Sequence, residues 1–486
     1  MIYSNPRFLK SSVPRRNWKQ AHRKMWEWEG YGQRIYRARS PLGGNGQAFG
    51  REAVVWKVEF PPAFRFAPSS NVLSSEPKFK SILPMTHLEI GLSVLGLVFV
   101  FFLVLPVVNV AVSRLARERL PNRPRVKLYD FGCVVTAWRN ADLARGLVRS
   151  ILEQPYKNCI VYLVADDCTL DDWDIEHERL VVLRPENPLN LKIKSIIYAV
   201  ERFRRPHDYV VVFDADNLVH PQFFSELNRY ANAGFKAIQG RRVAKNLDTL
   251  YARLDALGEF YKNYVERYVP YLLGSSAVIS GSGMAVLTPL YCAYLISPEV
   301  QRGKEKGRAI LQEDKILQNF ILRQGYRIAY AWKALVYDEK VRDARAATTQ
   351  RSRWLYSYFQ NIPNALGHVF RGAVGFNWNR WLFGWVTLAP PLLLQILGAV
   401  LVGALAWNTF PRLAVVLGVA LGLFALNVLL VLQLSKAPAQ VRNAVWLVPV
   451  FLFRQFLALF KMGNPQKNFQ PTPHDRQLDV DEVLKD

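Results

Sequence analysis

Two apolar runs in this chain stop on pairs of carboxylates. Val161-Tyr162-Leu163-Val164-Ala165 leads into Asp166-Asp167, and Val210-Val211-Val212-Phe213 leads into Asp214-Ala215-Asp216-Asn217. A carboxylate pair at a strand end offers hard oxygen ligands, and Mg²⁺ is typically held by one or two carboxylates together with substrate phosphates. Asp also caps turns and helix starts, which is the ordinary explanation for a single Asp-x-Asp. Two such strand ends about 50 residues apart favour metal and phosphate chemistry instead. Downstream, Gln312-Glu313-Asp314 opens an amphipathic stretch (Ile316, Leu317, Phe320, Ile321) that closes on Gln324-Gly325-Tyr326-Arg327. Gln350-Arg351-Ser352-Arg353-Trp354 then brings two guanidinium groups, which bind diphosphates bidentately, and an indole able to cover the apolar face of a sugar ring. Such an Arg/Trp cluster beside apolar segments also serves as a membrane-interface anchor.

Positioning these groups falls to an alternation of strands and helices. Short β-branched runs at Phe131–Ala137, Cys159–Val164, Leu180–Leu183 and Tyr209–Phe213 read as strands. Helical patterns lie between or after them at Asp142–Glu153, Leu191–Phe203 and Pro221–Ala233. This α/β alternation implies a mostly parallel sheet, whose ligands bind at the carboxyl ends of the strands. The Asp pairs stand at those ends.

The 486 residues are 50% hydrophobic, so the chain can bury a core and is not intrinsically disordered. Four cysteines with no Cys-x-x-Cys spacing fit a reducing compartment and no structural zinc. Ile90–Val112, Trp385–Trp407 and Leu413–Leu434 contain no charged residue and are long enough to cross a bilayer, while the shorter Ala444–Phe460 carries Arg454 and Pro449. Directly after the first run come Arg114, Arg117, Arg119, Arg123, Arg125 and Lys127 against Glu118 alone, which places the following segment in the cytoplasm. The net charge of +24 is therefore partly topological and does not call for nucleic acid as a partner. Residues 1–84 hold 15 Lys/Arg and 5 Asp/Glu, an unusual charge for the outer side, so the expected working start is Met85. The expected organisation is a basic N-terminal segment (1–84), a transmembrane helix (88–113), a cytoplasmic domain (114–380), a C-terminal membrane region (381–462) and a polar tail (463–486). In the membrane region two spans precede an interfacial or spanning segment.

Taken in order, strand-Asp-Asp, strand-Asp-x-Asp, Glu-Asp and Gln-x-x-Arg-Trp beside membrane spans resemble the membrane-embedded family 2 glycosyltransferases, the group of cellulose, hyaluronan and chitin synthases. The resemblance covers roughly residues 128–360. It implies a GT-A fold, a nucleotide-binding α/β sheet. It further implies an inverting hexosyl transfer from a nucleotide-diphosphate sugar, a UDP-sugar, to a hydroxyl of a glycan or lipid acceptor, giving a β-linkage. By the same resemblance Thr136, Asp166, Asp167, Lys194, Asp214, Gln350, Arg353 and Trp354 contact the donor. Asp214 and Asp216 hold Mg²⁺ or Mn²⁺, Asp314 is the catalytic base, and Gly281-Ser282-Gly283 with Trp354 border the acceptor. The implied location is the plasma or inner membrane, with the catalytic domain cytoplasmic. The sequence departs from the family pattern at Thr136-Ala137-Trp138-Arg139-Asn140, at Cys168-Thr169 and at Asn187-Pro188-Leu189-Asn190, all in the nucleotide pocket. Two other readings are a non-processive lipid glycosyltransferase resembling the ceramide glucosyltransferases, and a membrane scaffold that keeps the sheet without activity.

Overall fold

The computed structural model describes residues 87–118, 120, 126–305, 312–342, 344–449 and 451. The basic segment 1–84, the start at Met85, the tail 463–486 and most of Ala444–Phe460 lie outside the described residues; of the last, Ala444–Leu447 forms a 3-10 turn.

The chain enters with helix α1 (His87–Ser113) and then alternates β1 (Phe131–Trp138), α2 (Arg145–Leu152), β2 (Cys159–Asp166), β3 (Leu180–Leu183), α3 (Lys192–Val200) and β4 (Tyr209–Asp214). The apolar, β-branched runs become strands because both faces of the sheet are covered: every residue of Cys159–Asp166 is buried. The second half runs β5 (Leu218–Val219), α4 (Phe223–Asn232), β6 (Ala237–Ala244), α5 (Leu250–Lys262), β7 (Met284–Leu287), α6 (Thr288–Leu295), α7 (Glu313–Arg323) and β8 (Ile328–Asp338). A π-helical turn at Asn263–Tyr268 extends α5. The eight strands form one sheet in the order β3-β2-β1-β4-β7-β6-β8-β5.

The sheet is mixed, which corrects the expectation of a mostly parallel one. β3, β2, β1 and β4 are parallel, and β6 runs parallel to β8, but β7 lies antiparallel between β4 and β6, and β5 is antiparallel to β8. The reversal has a local cause. β7 is reached through α5, the π-helical turn and the segment Ser275–Gly283. That segment passes the start of β8 (Ala277 N–H to the Ile328 carbonyl) and ends at the carboxyl edge. There Gly283 N–H donates to the Val212 carbonyl, so β7 starts at that edge and runs in the opposite direction.

Among the described residues, three helices are long and apolar enough to cross a membrane: α1, α10 (Leu392–Thr409) and α11 (Pro411–Leu434). Before the last two come α8 (Ala344–Val374) and α9 (Trp378–Leu388). The charge-free run Trp385–Trp407 is thus two pieces. Pro390-Pro391 supplies no amide hydrogens and holds the preceding residue extended (Ala389 ψ 128°), so α9 stops at Leu388 and a new helix starts at Leu392. The three apolar helices pack on one another through Leu103, Val110, Ala399, Val402, Leu417 and Phe424, and Tyr261, Tyr264 and Val265 of the sheet domain join that cluster.

Candidate active site

The parallel half of the sheet sets the register of the site. Trp138 lies beside Asp166, and Thr136 lies beside Asp214, so the last residues of β1, β2 and β4 form one edge. A cavity of about 1430 Å³ opens over this edge and is lined by Thr136, Trp138, Asp166, Lys192, Asp214, Gly281, Glu313, Asp314, Arg353 and Trp354, among others. Residues far apart in sequence thus line one cavity.

The first Asp pair divides its work. Asp166 is buried, and its two carboxylate oxygens accept the backbone N–H groups of Leu189 (2.7 Å) and Asn190 (2.8 Å). It anchors the loop that leads into α3. Asp167 adopts a left-handed backbone (φ 56°) and faces Arg139 at 3.3 Å on the surface. Asn190 and Arg139 are also left-handed, and Asn190 accepts a hydrogen bond from the Trp138 indole at 3.1 Å. Non-glycine residues in this region carry strain of order 1 kcal/mol each, and such strain clusters where a loop is held for function.

The second pair is split more sharply. Asp214 is 38% exposed at the side chain and faces the cavity. Asp216 does not line it: the side chain is buried in the turn after β4, where it accepts from Asn217 Nδ2 at 3.2 Å. Of the two carboxylates expected at the mouth of the sheet, Asp214 lines the cavity and Asp216 does not. Asn217 explains the turn, since its own carbonyl oxygen accepts from the Ser282 hydroxyl and its amide donates toward Asp338.

Lys192, not Lys194, reaches the cavity. Lys192 Nζ donates to Asp214 Oδ1 (2.6 Å) and to the Gly281 carbonyl (3.0 Å) and stands 3.5 Å from Glu313 Oε1. Lys194 is exposed and lines no part of it. Residues two apart on a helix are about 200° apart, so only one of the two lysines can face the sheet edge. Burial works against the Lys192 charge, yet Asp214 and Glu313 overcome it and hold the pKa above the ordinary lysine value. Burial also pushes the Glu313 carboxyl up, helped by Asp314 and opposed by Lys192.

Asp314 sits in the first turn of α7, with Oδ1 accepting the Lys315 amide at 2.8 Å, and it has no ion-pair partner among the described residues. Gly281 and Gly283 both have positive φ (83° and 64°), and a Cβ on Gly283 would meet Val336 at 2.5 Å. Gly281 and Ser280 line the cavity, whereas Ser282 and Gly283 lie behind it. From α8, Arg351, Ser352, Arg353 and Trp354 line the cavity and Gln350 does not. Burial lowers the Arg353 pKa, and Glu313 partly restores it. The Trp354 ring is 42% exposed, with Lys262 Nζ 4.7 Å from its centroid.

Beneath the site lies an ionic network that sequence reasoning missed. Arg242 binds Asp338 (2.5 Å) and the Ser280 carbonyl (2.7 Å), Lys340 binds Asp338 (2.9 Å), and Arg267 binds Glu259 (2.8 Å). Arg242 thereby fixes the Ser280-Gly281 backbone against which Lys192 rests.

Asp214 presents the hard oxygen that a divalent cation takes, and phosphate oxygens of a bound diphosphate would complete its shell. The described residues contain no group of three or more His, Cys, Asp or Glu arranged to hold a metal by themselves. The donor set thus fits a cation that arrives with its nucleotide.

Residues 129–357 match the family model described as Glycosyltransferase like family 2. The matched stretch begins just before β1 and ends within α8, so it takes in every residue of the cavity edge described above. No curated protein matches the chain. Among solved structures, the mannosyltransferase PcManGT from Pyrobaculum calidifontis in complex with GDP-Man and Mn²⁺ is similar over 76% of this chain and 98% of that one, at 14% identity and a TM-score of 0.47.

Proposed function

We propose that the chain is a membrane-bound, inverting glycosyltransferase that moves a hexose from a nucleotide diphosphate, a UDP-sugar, to a hydroxyl group of a glycan or lipid acceptor, forming a β-linkage. The observation that carries the reading is the convergence of Asp214, Lys192, Asp314 and Arg353 on one cavity at the strand ends of a family 2 domain. The edge of β1, β2 and β4 receives the nucleotide. Thr136 and the loop held by Asp166 line its pocket.

The leaving group is a diphosphate, whose developing charge has to be met as the glycosyl bond breaks. Lys192 and Arg353 supply fixed positive charge from different walls of the cavity. Asp214 would hold Mg²⁺ or Mn²⁺ together with the diphosphate oxygens, and such an ion when bound supplies Lewis-acid stabilisation of the departing phosphate. The acceptor hydroxyl is a weak nucleophile. As its oxygen bonds to the anomeric carbon, its proton passes to Asp314 and the diphosphate leaves from the other face. A single in-line displacement inverts the anomeric configuration. Trp354 offers the flat apolar surface against which a sugar ring packs.

The charge asymmetry around α1 supports a cytoplasmic catalytic domain, and the three apolar helices support membrane insertion, in the plasma or inner membrane. The deciding experiment incubates the purified chain in membranes with a panel of labelled nucleotide sugars and Mn²⁺ and sizes the product. Transfer of label to a larger acceptor-linked product is expected from one of them. Intact donor throughout the panel, with nucleotide bound, would leave the scaffold reading in its place. The size of the product separates polymer synthesis from transfer of single sugars.

A further inference from the structure

Lys192 opens α3, and a lysine there works against the helix. The first turn of an α-helix is its positive end, yet α3 carries Lys192 and Lys194 in that turn and no acidic residue. Helix stability does not account for the placement of Lys192; the partners of its side chain do. Lys192 Nζ stands among three oxygens: Asp214 Oδ1 at 2.6 Å, the Gly281 carbonyl at 3.0 Å and Glu313 Oε1 at 3.5 Å.

These oxygens are fixed from behind. Asp214 ends β4, and its backbone N–H donates to Ser282 Oγ and Asn217 Oδ1, each at 3.3 Å. Gly281 follows Ser280, whose own carbonyl accepts from Arg242 at 2.7 Å. Glu313 opens α7. The loop that delivers Lys192 hangs on the Asp166 carboxylate through the amides of Leu189 and Asn190. Hard oxygens converging on one point make a cation site, and the chain's own ammonium fills it.

Asp214 is also the member of the Asp-x-Asp pair that lines the cavity, so the oxygen a divalent cation would take is the one Lys192 already holds. Like charges a few ångströms apart repel strongly where water is partly excluded, and the Lys192 side chain is 24% exposed. The flexible stem of a lysine redirects its charge without moving the backbone. A diphosphate offers that ammonium another anion and at the same time brings oxygens for a metal.

We propose that Lys192 gates the metal site: it holds Asp214 in the nucleotide-free protein and releases it to a divalent cation when a nucleoside diphosphate draws the ammonium away. Nucleotide binding therefore precedes metal binding. This inference rests on the transferase reading above for the nucleotide, whereas the hold of Lys192 on Asp214 is tested with metal alone.

The experiment uses the full chain in detergent and follows free Mn²⁺ by its electron paramagnetic resonance signal, first without nucleotide. The unaltered chain is expected to bind Mn²⁺ weakly, and Lys192→Met to bind it at least about tenfold more tightly, the scale of a typical coupling between sites. Lys192→Arg keeps a cation at Asp214 and should stay weak. Adding Asp214→Asn to Lys192→Met should abolish the gain. Arg353→Met removes a positive charge from the same cavity but not from Asp214, and should change Mn²⁺ affinity far less. With UDP the unaltered chain should gain Mn²⁺ affinity, and with uridine, which lacks the diphosphate, it should not. In Lys192→Met the gain from UDP should shrink by about tenfold, because Asp214 is already free. Lys192→Gln repeats each arm should Lys192→Met fail to fold. Unchanged Mn²⁺ affinity in a folded Lys192 variant, an equal gain from Arg353→Met, or a gain that survives Asp214→Asn would overturn the proposal. If the metal effects appear but neither UDP nor GDP binds, the donor-site reading fails and the hold of Lys192 on Asp214 stands.

Discussion

Glu313 and Asp314 are adjacent carboxylates in one helical turn, yet only one is free to take a proton from an acceptor. Glu313 lies 3.5 Å from Lys192 and is paired with that ammonium, whereas among the described residues Asp314 accepts a single backbone N–H on one oxygen. Asp314→Asn keeps the shape and the hydrogen bond but cannot accept the proton. Turnover is expected to fall by roughly 10²–10⁴, with nucleotide affinity and melting temperature retained. Were Asp314 only a favourable charge at a helix N-terminus, the same variant would lose about 0.3–1 kcal/mol of stability and keep its rate. Single-turnover kinetics beside calorimetry separates the two. The split of Asp214 from Asp216 gives a second expectation. Asp214→Asn should abolish the difference in nucleotide affinity measured with Mn²⁺ and with EDTA, because the cavity-facing oxygen is the one it alters. Asp216→Asn should mainly lower the melting temperature, since its carboxylate is packed into the turn. An Asp216→Asn protein that melts normally but binds nucleotide without Mn²⁺ enhancement would reverse the two roles.

At the scale of elements, the legible parts came from periodicity, and the illegible ones depend on tertiary context. The four parallel strands and the helices between them were readable because fully buried strands are continuous apolar runs. β6 was not, because Ala237–Ala244 carries Gly240, Arg241 and Arg242 and reads as a polar loop. Arg242 is tolerated there because Asp338 and the Ser280 carbonyl take up its charge, partners that local sequence cannot reveal. β8 supplies Asp338 and was likewise unread, since its alternation breaks at Trp332-Lys333. The motif carboxylates were legible as residues, whereas the choice of Lys192 over Lys194 depended on where α3 begins. The network under the site makes its own forecast. Arg267 and Lys340 overcome the burial of Glu259 and lower its pKa to about 2. A carboxylate near 4.3 in the unfolded chain then contributes stability that is complete above that pH and is lost as the pH falls toward the folded value, about 3 kcal/mol in all. Glu259→Gln should flatten the fall in melting temperature between roughly pH 4.5 and 2 and lower stability at neutral pH, because Arg267 is left buried without its partner. A pH series of thermal melts on both proteins checks the sign.

For the whole molecule, the question is which side of a membrane each end of the apolar helices faces. α10 and α11 are joined only through Phe410, so they form a tight antiparallel hairpin with Thr409 and Pro411 at its tip. The far end of α11 returns to the sheet, because Arg241 of β6 donates to the Ser435 carbonyl at 3.2 Å. Leu392, at the other open end, lines the same cavity as Asp314. Both open ends thus face the catalytic domain, and the tip points away from it. With the domain in the cytoplasm, as proposed from the basic run after α1, the hairpin tip is expected to be external. In a chain whose four native cysteines are replaced by Ser, Asn408→Cys at the tip should react with a membrane-impermeant maleimide in intact cells. Gln440→Cys, beyond the end of α11, should react only after the cells are opened. The side taken by the polar tail depends on a single charge in the last apolar segment. A full further crossing would place Arg454 inside hydrocarbon, at a cost of about 3 kcal/mol on insertion scales, so the tail is expected on the cytoplasmic side. A cysteine placed at 470 should then behave as Gln440→Cys does. If it labels from outside while Gln440→Cys remains protected, the chain crosses once more after α11 and Arg454 has a partner within the membrane.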